Sequence, residues 1–200
     1  MELTDYFKIA QRNNSSLNQA ITMAKLNSRG DKIWLVGGAV YRPIVKILYS
    51  YPTINYDYDF ILERIQTKPP SLIGFKLTRT RFGGLRYFNH TCQIDLYALD
   101  DAIEPESYPY RVLMSREEKL NSYFQRVPFT IQAMGYDLDE EKVFGDKGIE
   151  AILNQEVKIN NLAECSRLST RHNIPINILI EKKARSLGFH PRYLDLIQGI

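Results

Sequence analysis

Residues 33–59 read IWLVGGAVYRPIVKILYSYPTINYDYD, and this stretch decides the fold. Positions 33–36 form an apolar run of one buried strand's length. Gly37 and Gly38 interrupt it. Beyond them Val40, Ile44, Ile47 and Leu48 recur at helical spacing, with Pro43 tolerated in a first turn. A glycine turn therefore joins a strand to a helix N-terminus, where unpaired backbone amides suit a phosphate. A second strand is predicted over residues 56–62. Alternate residues on a strand share a face. Asp57 and Asp59 thus project together, while Tyr56, Tyr58, Phe60 and Leu62 take the other side.

Two carboxylates on one strand face repel each other, and they lose hydration when the strand packs. A divalent cation relieves both costs, because hard cations take oxygen ligands. A phosphate cradle beside paired carboxylates points to metal-assisted phosphoryl or nucleotidyl transfer. Either half alone reads equally as a surface Asp pair or an ordinary strand–turn–helix. Their succession, with about two turns of helix between them, carries the reading.

Working outward, residues 1–30 predict two helices. Leu3, Tyr6, Phe7 and Ala10 share one face, with Thr4 as a cap. Leu17, Ala20, Ile21 and Ala24 share another, and Gly30 stops the second helix. Residues 63–75 contain Lys68-Pro69-Pro70-Ser71 and read as an exposed loop, a linker or a lid. Residues 75–99 predict antiparallel strands with turns at Phe82-Gly83-Gly84 and at Asn89-His90. On the last strand Asp95, Tyr97 and Leu99 share a face. A carboxylate in so strongly strand-forming a run is costly unless exposed or liganded. Arg79, Arg81 and Arg86 gather near the glycine turn, as a basic face for polyphosphate or RNA, or singly for solubility. Residues 100–109 read as an acidic loop, 115–123 as a polar helix, and 129–138 as a buried strand or helix. Residues 162–200 predict helix, with Ile176, Ile180, Ala184 and Leu187 on one face. That tail is the most basic part of the chain.

Two hundred residues allow one domain, or a domain with a small appendage. The formal net charge of +3 does not by itself select a partner. No apolar run approaches the ~20 residues of a membrane span. No basic segment followed by an apolar core opens the chain, so no secretory leader is expected. Cys92 and Cys165 have no partner motif and read as reduced thiols, which fits a cytoplasmic setting.

Gly37-Gly38-Ala39-Val40 followed by Asp57-Tyr58-Asp59 resembles the head domain of the DNA polymerase β-like nucleotidyltransferase superfamily, in the branch of bacterial poly(A) polymerases and class II CCA-adding enzymes. Tyr41 and Arg42 stand where that signature has Arg and Asp. Residues 126–138 resemble a second motif of the branch: Arg126, Phe129, Thr130, Ile131, Ala133 and Met134 match, while Val127, Pro128 and Gln132 depart. Residues 143–152 are similar to the segment that follows. The resemblance implies an α+β fold with a mixed, mostly antiparallel palm-like sheet, flanking helices and a short helical C-terminal segment. It implies a head over residues 1–155 and a basic segment over 156–200. It implies transfer of a nucleoside monophosphate from an NTP to an acceptor hydroxyl, most readily an RNA or tRNA 3′ end. A protein hydroxyl, or a nucleotide- or RNA-binding module without turnover, is the alternative. Asp57, Asp59 and Asp95 would hold two Mg²⁺ ions, with Asp95 completing the second site and helping to deprotonate the acceptor. Gly37 and Gly38 amides, Arg42 and Arg126 would bind the nucleotide. Leu187-Gly188-Phe189 resembles the end of the branch's base-selecting helix. Aligned there, Asn173 and Ile176 occupy the places of its selecting Asp and Arg, so ordered C, C, A addition is not expected.

Overall fold

The computed structural model describes residues 1–30, 32–54, 57–80, 83–102 and 113–192. Helices α1 (Leu3–Arg12) and α2 (Ser15–Asn27) open the chain. The cap of α1 is Glu2 rather than Thr4: the Glu2 amide donates to Asp5 Oδ2 at 2.9 Å. The Thr4 hydroxyl instead accepts from the Val143 amide at 3.1 Å. Helix α2 ends at Asn27 with Ser28 as its C-cap, before Gly30 is reached.

Next come β1 (Ile33–Val36), α3 (Gly38–Leu48), β2 (Asp57–Leu62), β3 (Lys76–Arg79), β4 (Leu85–Phe88) and β5 (Gln93–Ala98). They are followed by α4 (Arg116–Arg126), β6 (Gly135–Asp137), β7 (Lys142–Phe144), α5 (Asp146–Leu153), β8 (Glu156–Lys158), α6 (Leu162–His172), α7 (Ile176–Arg185) and β9 (His190–Arg192). Among the described residues, one sheet runs β3-β4-β5-β2-β1-β6-β7. Strands β2 and β5 pair in parallel at its centre and its other pairs are antiparallel. The fold is thus α+β with a mixed, mostly antiparallel sheet, as the sequence predicts.

One face of the sheet buries Leu35, Tyr58, Phe60, Leu62, Ile94 and Leu96 in a core shared with α1, α2 and α3. Each such side chain stabilises the fold by roughly 1.5–3 kcal/mol relative to exposure. Phe7 of α1 packs on Tyr136 of β6 with ring centroids 4.3 Å apart. The opposite face carries Trp34, Val36 and Ile61, met by Leu120 and Phe124 of α4. Helix α4 is opened by a capping box at Ser115 and Glu118, and it runs three residues beyond the predicted 115–123. Residues 129–138 form a short 3₁₀ turn (Thr130–Gln132) and then β6, so neither a single strand nor a single helix fills them.

Strand β3 is an edge strand whose four residues are all exposed. One further expectation changes. The C-terminal segment is not helical throughout: Gly188, at φ +69°, follows α7, and residues 190–192 pair in parallel with β8. Val157, Cys165, Ile180 and Phe189 of this segment lie in the same apolar core as the sheet. The predicted strand start at Tyr56, the turn residue Phe82, Arg81, most of the acidic loop at 103–109 and the last residues 193–200 lie outside the described residues.

Candidate active site

The site is built where β1 ends. Val36, the last residue of β1, is the antiparallel partner of Asp59 on β2. Gly37 then turns the chain into α3 with φ +64° and ψ −131°, a conformation that only glycine adopts without strain. Its amide donates to the Met134 carbonyl at 3.1 Å. Gly37 therefore supplies the turn rather than a phosphate-binding N–H, which corrects one sequence expectation. The first amides inside α3, on Gly38 and Ala39, have no partner within the helix by geometry. They follow Val36, the strand partner of Asp59, at the same end of the sheet.

Asp57 is exposed and Asp59 half-buried, and both lie on the sheet face of Val36 and Ile61. The parallel register sets Asp59 opposite Asp95 on β5. All three carboxylates thus share one face, as predicted, with Asp59 and Asp95 on neighbouring strands ~4.8 Å apart. Burial, the Asp95 charge and the Asp57 charge push the Asp59 carboxyl up to about 7, with Arg86 and Arg42 opposing the rise. Asp59 is thus short of positive charge.

Asp95 is not. It is only 3% exposed, and its two oxygens accept a fork from Arg86 of β4, Nε to Oδ1 at 2.7 Å and a terminal nitrogen to Oδ2 at 2.6 Å. Gln93 and Tyr97 also donate to Oδ2, each at 3.3 Å. The antiparallel register of β4 and β5 places Arg86 directly opposite Asp95. Gly84 permits this approach, since a Cβ there would stand 2.5 Å from the Leu96 carbonyl oxygen. Arg86 is the functional neighbour that the sequence reading missed as such. Its signal lay in turn length: Asn89 and Cys92 close a four-residue turn, held by Asn89 Oδ1 on the Thr91 and Cys92 amides. A turn at Asn89-His90 alone leaves the register open. The same register separates the expected basic cluster, because Arg79 pairs with Leu85 and faces away from Arg86.

Tyr97 and Tyr123 border the acidic group. Burial, then the charges of Asp95 and Asp59, raises the Tyr97 phenol; burial and the Asp59 charge raise that of Tyr123, which Arg126 opposes. Arg126 closes α4 and donates to the Ala102 carbonyl at 3.3 Å. Arg42 follows Tyr41 in the first turns of α3, and its guanidinium carbon lies 5.9 Å from the Tyr41 ring centroid. Tyr41 is buried, and Lys183 of α7 donates to its hydroxyl while standing 5.0 Å from the ring centroid. Nothing in the sequence pairs positions 41 and 183. Asn173 ends α6 in a left-handed conformation and Ile176 begins α7, so the two aligned template positions straddle a helix junction. A surface cleft lined by Thr130, Lys147, Glu150 and Asn160 contains none of the predicted site residues.

Among the described residues, no three His, Cys, Asp or Glu side chains are grouped to hold a metal ion. Asp57 and Asp59 fit a hard cation in ligand type and in the charge that Asp59 lacks. Asp95 offers less to a cation, since both of its oxygens already accept from Arg86.

Neither protein-family models nor curated protein sequences match this chain. Solved structures do. A tRNA-processing enzyme in an apo form aligns with TM-score 0.54 at 14% identity, over 90% of this chain and 44% of its own. The Bacillus stearothermophilus CCA-adding enzyme in complex with CTP gives 0.53 at 16%, over 90% and 41%. The Thermotoga maritima CCA-adding enzyme complexed with tRNA gives 0.51 at 15%, over 92% and 46%. This chain spans less than half the length of each. At such identities the likeness concerns the fold, which is the nucleotidyltransferase fold.

Proposed function

We propose that the protein is a metal-dependent nucleotidyltransferase that moves a nucleoside monophosphate from an NTP to an acceptor hydroxyl and releases pyrophosphate. One observation carries this reading: the first amides of α3 and the charge-deficient Asp59 meet at the same end of the sheet, because Val36 and Asp59 are strand partners. The amides of Gly38 and Ala39 would take phosphate oxygens, aided by the helix dipole. Arg42 and Arg126 would add positive charge on either side. Asp57 and Asp59 would hold Mg²⁺, which when bound supplies charge against the triphosphate and lowers the pKa of a coordinated hydroxyl. Asp95 is tied to Arg86 and would orient its neighbours rather than accept the acceptor's proton.

The structural neighbours include CCA-adding enzymes solved with CTP and with tRNA, which favours an RNA 3′ end as the acceptor. Ile176 offers no donor to a base edge, and the loss of one bidentate contact corresponds to ~1–3 kcal/mol of discrimination. Addition of one nucleotide type, or addition with weak selection, is expected rather than ordered C, C, A.

The test is incubation with each labelled NTP, Mg²⁺ and total RNA or lysate. Label on RNA that disappears in Asp57→Asn supports the proposal. Label on protein would move the acceptor to a protein hydroxyl. Nucleotide binding without label would make the chain a binding module, a reading the Arg86–Asp95 pair favours.

A further inference from the structure

The acidic face contains a fixed cation of its own. Arg86 reaches Asp95 with two parallel contacts of 2.6 and 2.7 Å, the forked geometry that only a guanidinium provides. Both carboxylate oxygens are used, and Oδ2 has two further donors in Gln93 and Tyr97. Asp95 is buried, whereas the Arg86 side chain is 37% exposed and is fixed from its own strand by pairing on both sides. Withdrawing the guanidinium would leave a buried carboxylate beside Asp59, and such uncompensated charges are strongly disfavoured.

We propose that Arg86 takes the place of a second metal ion at Asp95, so that the acidic face accepts one divalent cation, at Asp57 and Asp59, with Asp95 a positioning residue. The inference rests on the reading of Asp57 and Asp59 as metal ligands given above. A second ion placed on Asp95 would have to displace the guanidinium or sit against it, and like charges at contact distance repel strongly in a partly buried site. Asp95 would then act by fixing the Arg86 guanidinium on this face, opposite it in the register of β4 and β5.

The experiment counts Mn²⁺ bound to the nucleotide-free chain, by the loss of the free-ion paramagnetic resonance signal. Sites are assigned to this face if the Asp57→Asn, Asp59→Asn double variant loses them. One such ion is expected in the wild-type chain, and Asp95→Asn should retain it. Arg86→Gln should admit a second, and Arg86→Lys, which keeps the charge, should not. Should Arg86→Gln fail to fold, the wild-type count and Asp95→Asn still decide. Two ions in the wild-type chain, one of them lost in Asp95→Asn, would make Asp95 a ligand and overturn the inference while leaving the metal reading intact. No ion at this face would overturn both.

Discussion

Strands β2 and β5 lie side by side in parallel, and each presents an aspartate at the same level of the same face. Asp59 is half-buried beside two other carboxylates and titrates near 7; Asp95 is more deeply buried, yet a guanidinium fork meets it. Identical residues one strand apart are therefore balanced differently, one by a guanidinium fork and one without such a fork. Function concentrates where compensation is incomplete, and stability where it is complete. Substitution on the two strands should separate the two effects.

The largest effect is expected on β2. Asp57→Asn should lower pyrophosphate release by more than about 10²-fold, beyond what loss of an outer-shell partner of a metal ligand costs. Circular dichroism should show the fold retained, because Asp57 is exposed. Turnover within tenfold of wild type would remove Asp57 from the site.

On β5 the order reverses, with stability the quantity that moves. Arg86→Ala should destabilise the chain by about 2–4 kcal/mol, slightly below the range for fully buried pairs since Arg86 is partly exposed. Asp95→Asn should cost less than half of that, because the freed guanidinium can turn to water while a freed carboxylate cannot. Urea unfolding of both variants checks the asymmetry. Equal losses would mean that the pair acts through packing alone.

Asp59 connects the two strands through pH. In the metal-free chain its folded pKa of about 7 exceeds the unfolded value, so between pH 4 and 7 the native state holds the proton more tightly. Stability contributed by this group is therefore full at low pH and falls as the pH rises towards 7. Asp59→Asn should raise the stability of metal-free protein at pH 8 by about 1–2 kcal/mol, a figure reduced for partial solvent screening, and leave it unchanged at pH 4. Mg²⁺ should raise the wild-type Tm more at pH 8 than at pH 5. A wild-type Tm that climbs from pH 4 to 7 no less than that of Asp59→Asn would contradict the assignment.

How far the sequence reached follows the same contrast. Strand β1, the glycine turn, α3 and β2 are legible because period-3.6 and period-2 patterns are local, and the face shared by Asp57 and Asp59 follows from alternation alone. The resemblance added Asp95, and the β2–β5 register brings it to that face. The Arg86–Asp95 fork was not legible, because it depends on a hairpin register that one residue of turn length shifts to the other face. The loss of the Gly37 amide to Met134 was hidden for a related reason: the acceptor lies almost a hundred residues away. Strand β9 was read as helix because the apolar periodicity of α7 runs up to it, whereas Gly188 and Pro191 mark the break.

The smallest effect is expected at the contact between α3 and α7, where the compensated side of the comparison recurs in weaker form. Tyr41 fills a core position that is charged in the resembled signature, and its hydroxyl is met by the Lys183 ammonium. Unlike Asp95, a tyrosine hydroxyl carries no charge to strand. Tyr41→Phe should therefore cost only about 0.5–1 kcal/mol, one hydrogen bond, because the Lys183 stem can carry its head to water. Lys183→Ala loses that bond and also the ammonium over the ring, itself worth about 0.5–1 kcal/mol, so it should cost somewhat more than Tyr41→Phe. The double variant distinguishes a bond from two independent packing sites. If the ammonium and the hydroxyl act as a pair, the combined loss will fall short of the summed single losses by a few tenths of a kcal/mol or more. Strict additivity would mean that Lys183 supports α7 through its aliphatic stem alone, and that the Arg86–Asp95 fork is the stronger case of polar compensation here.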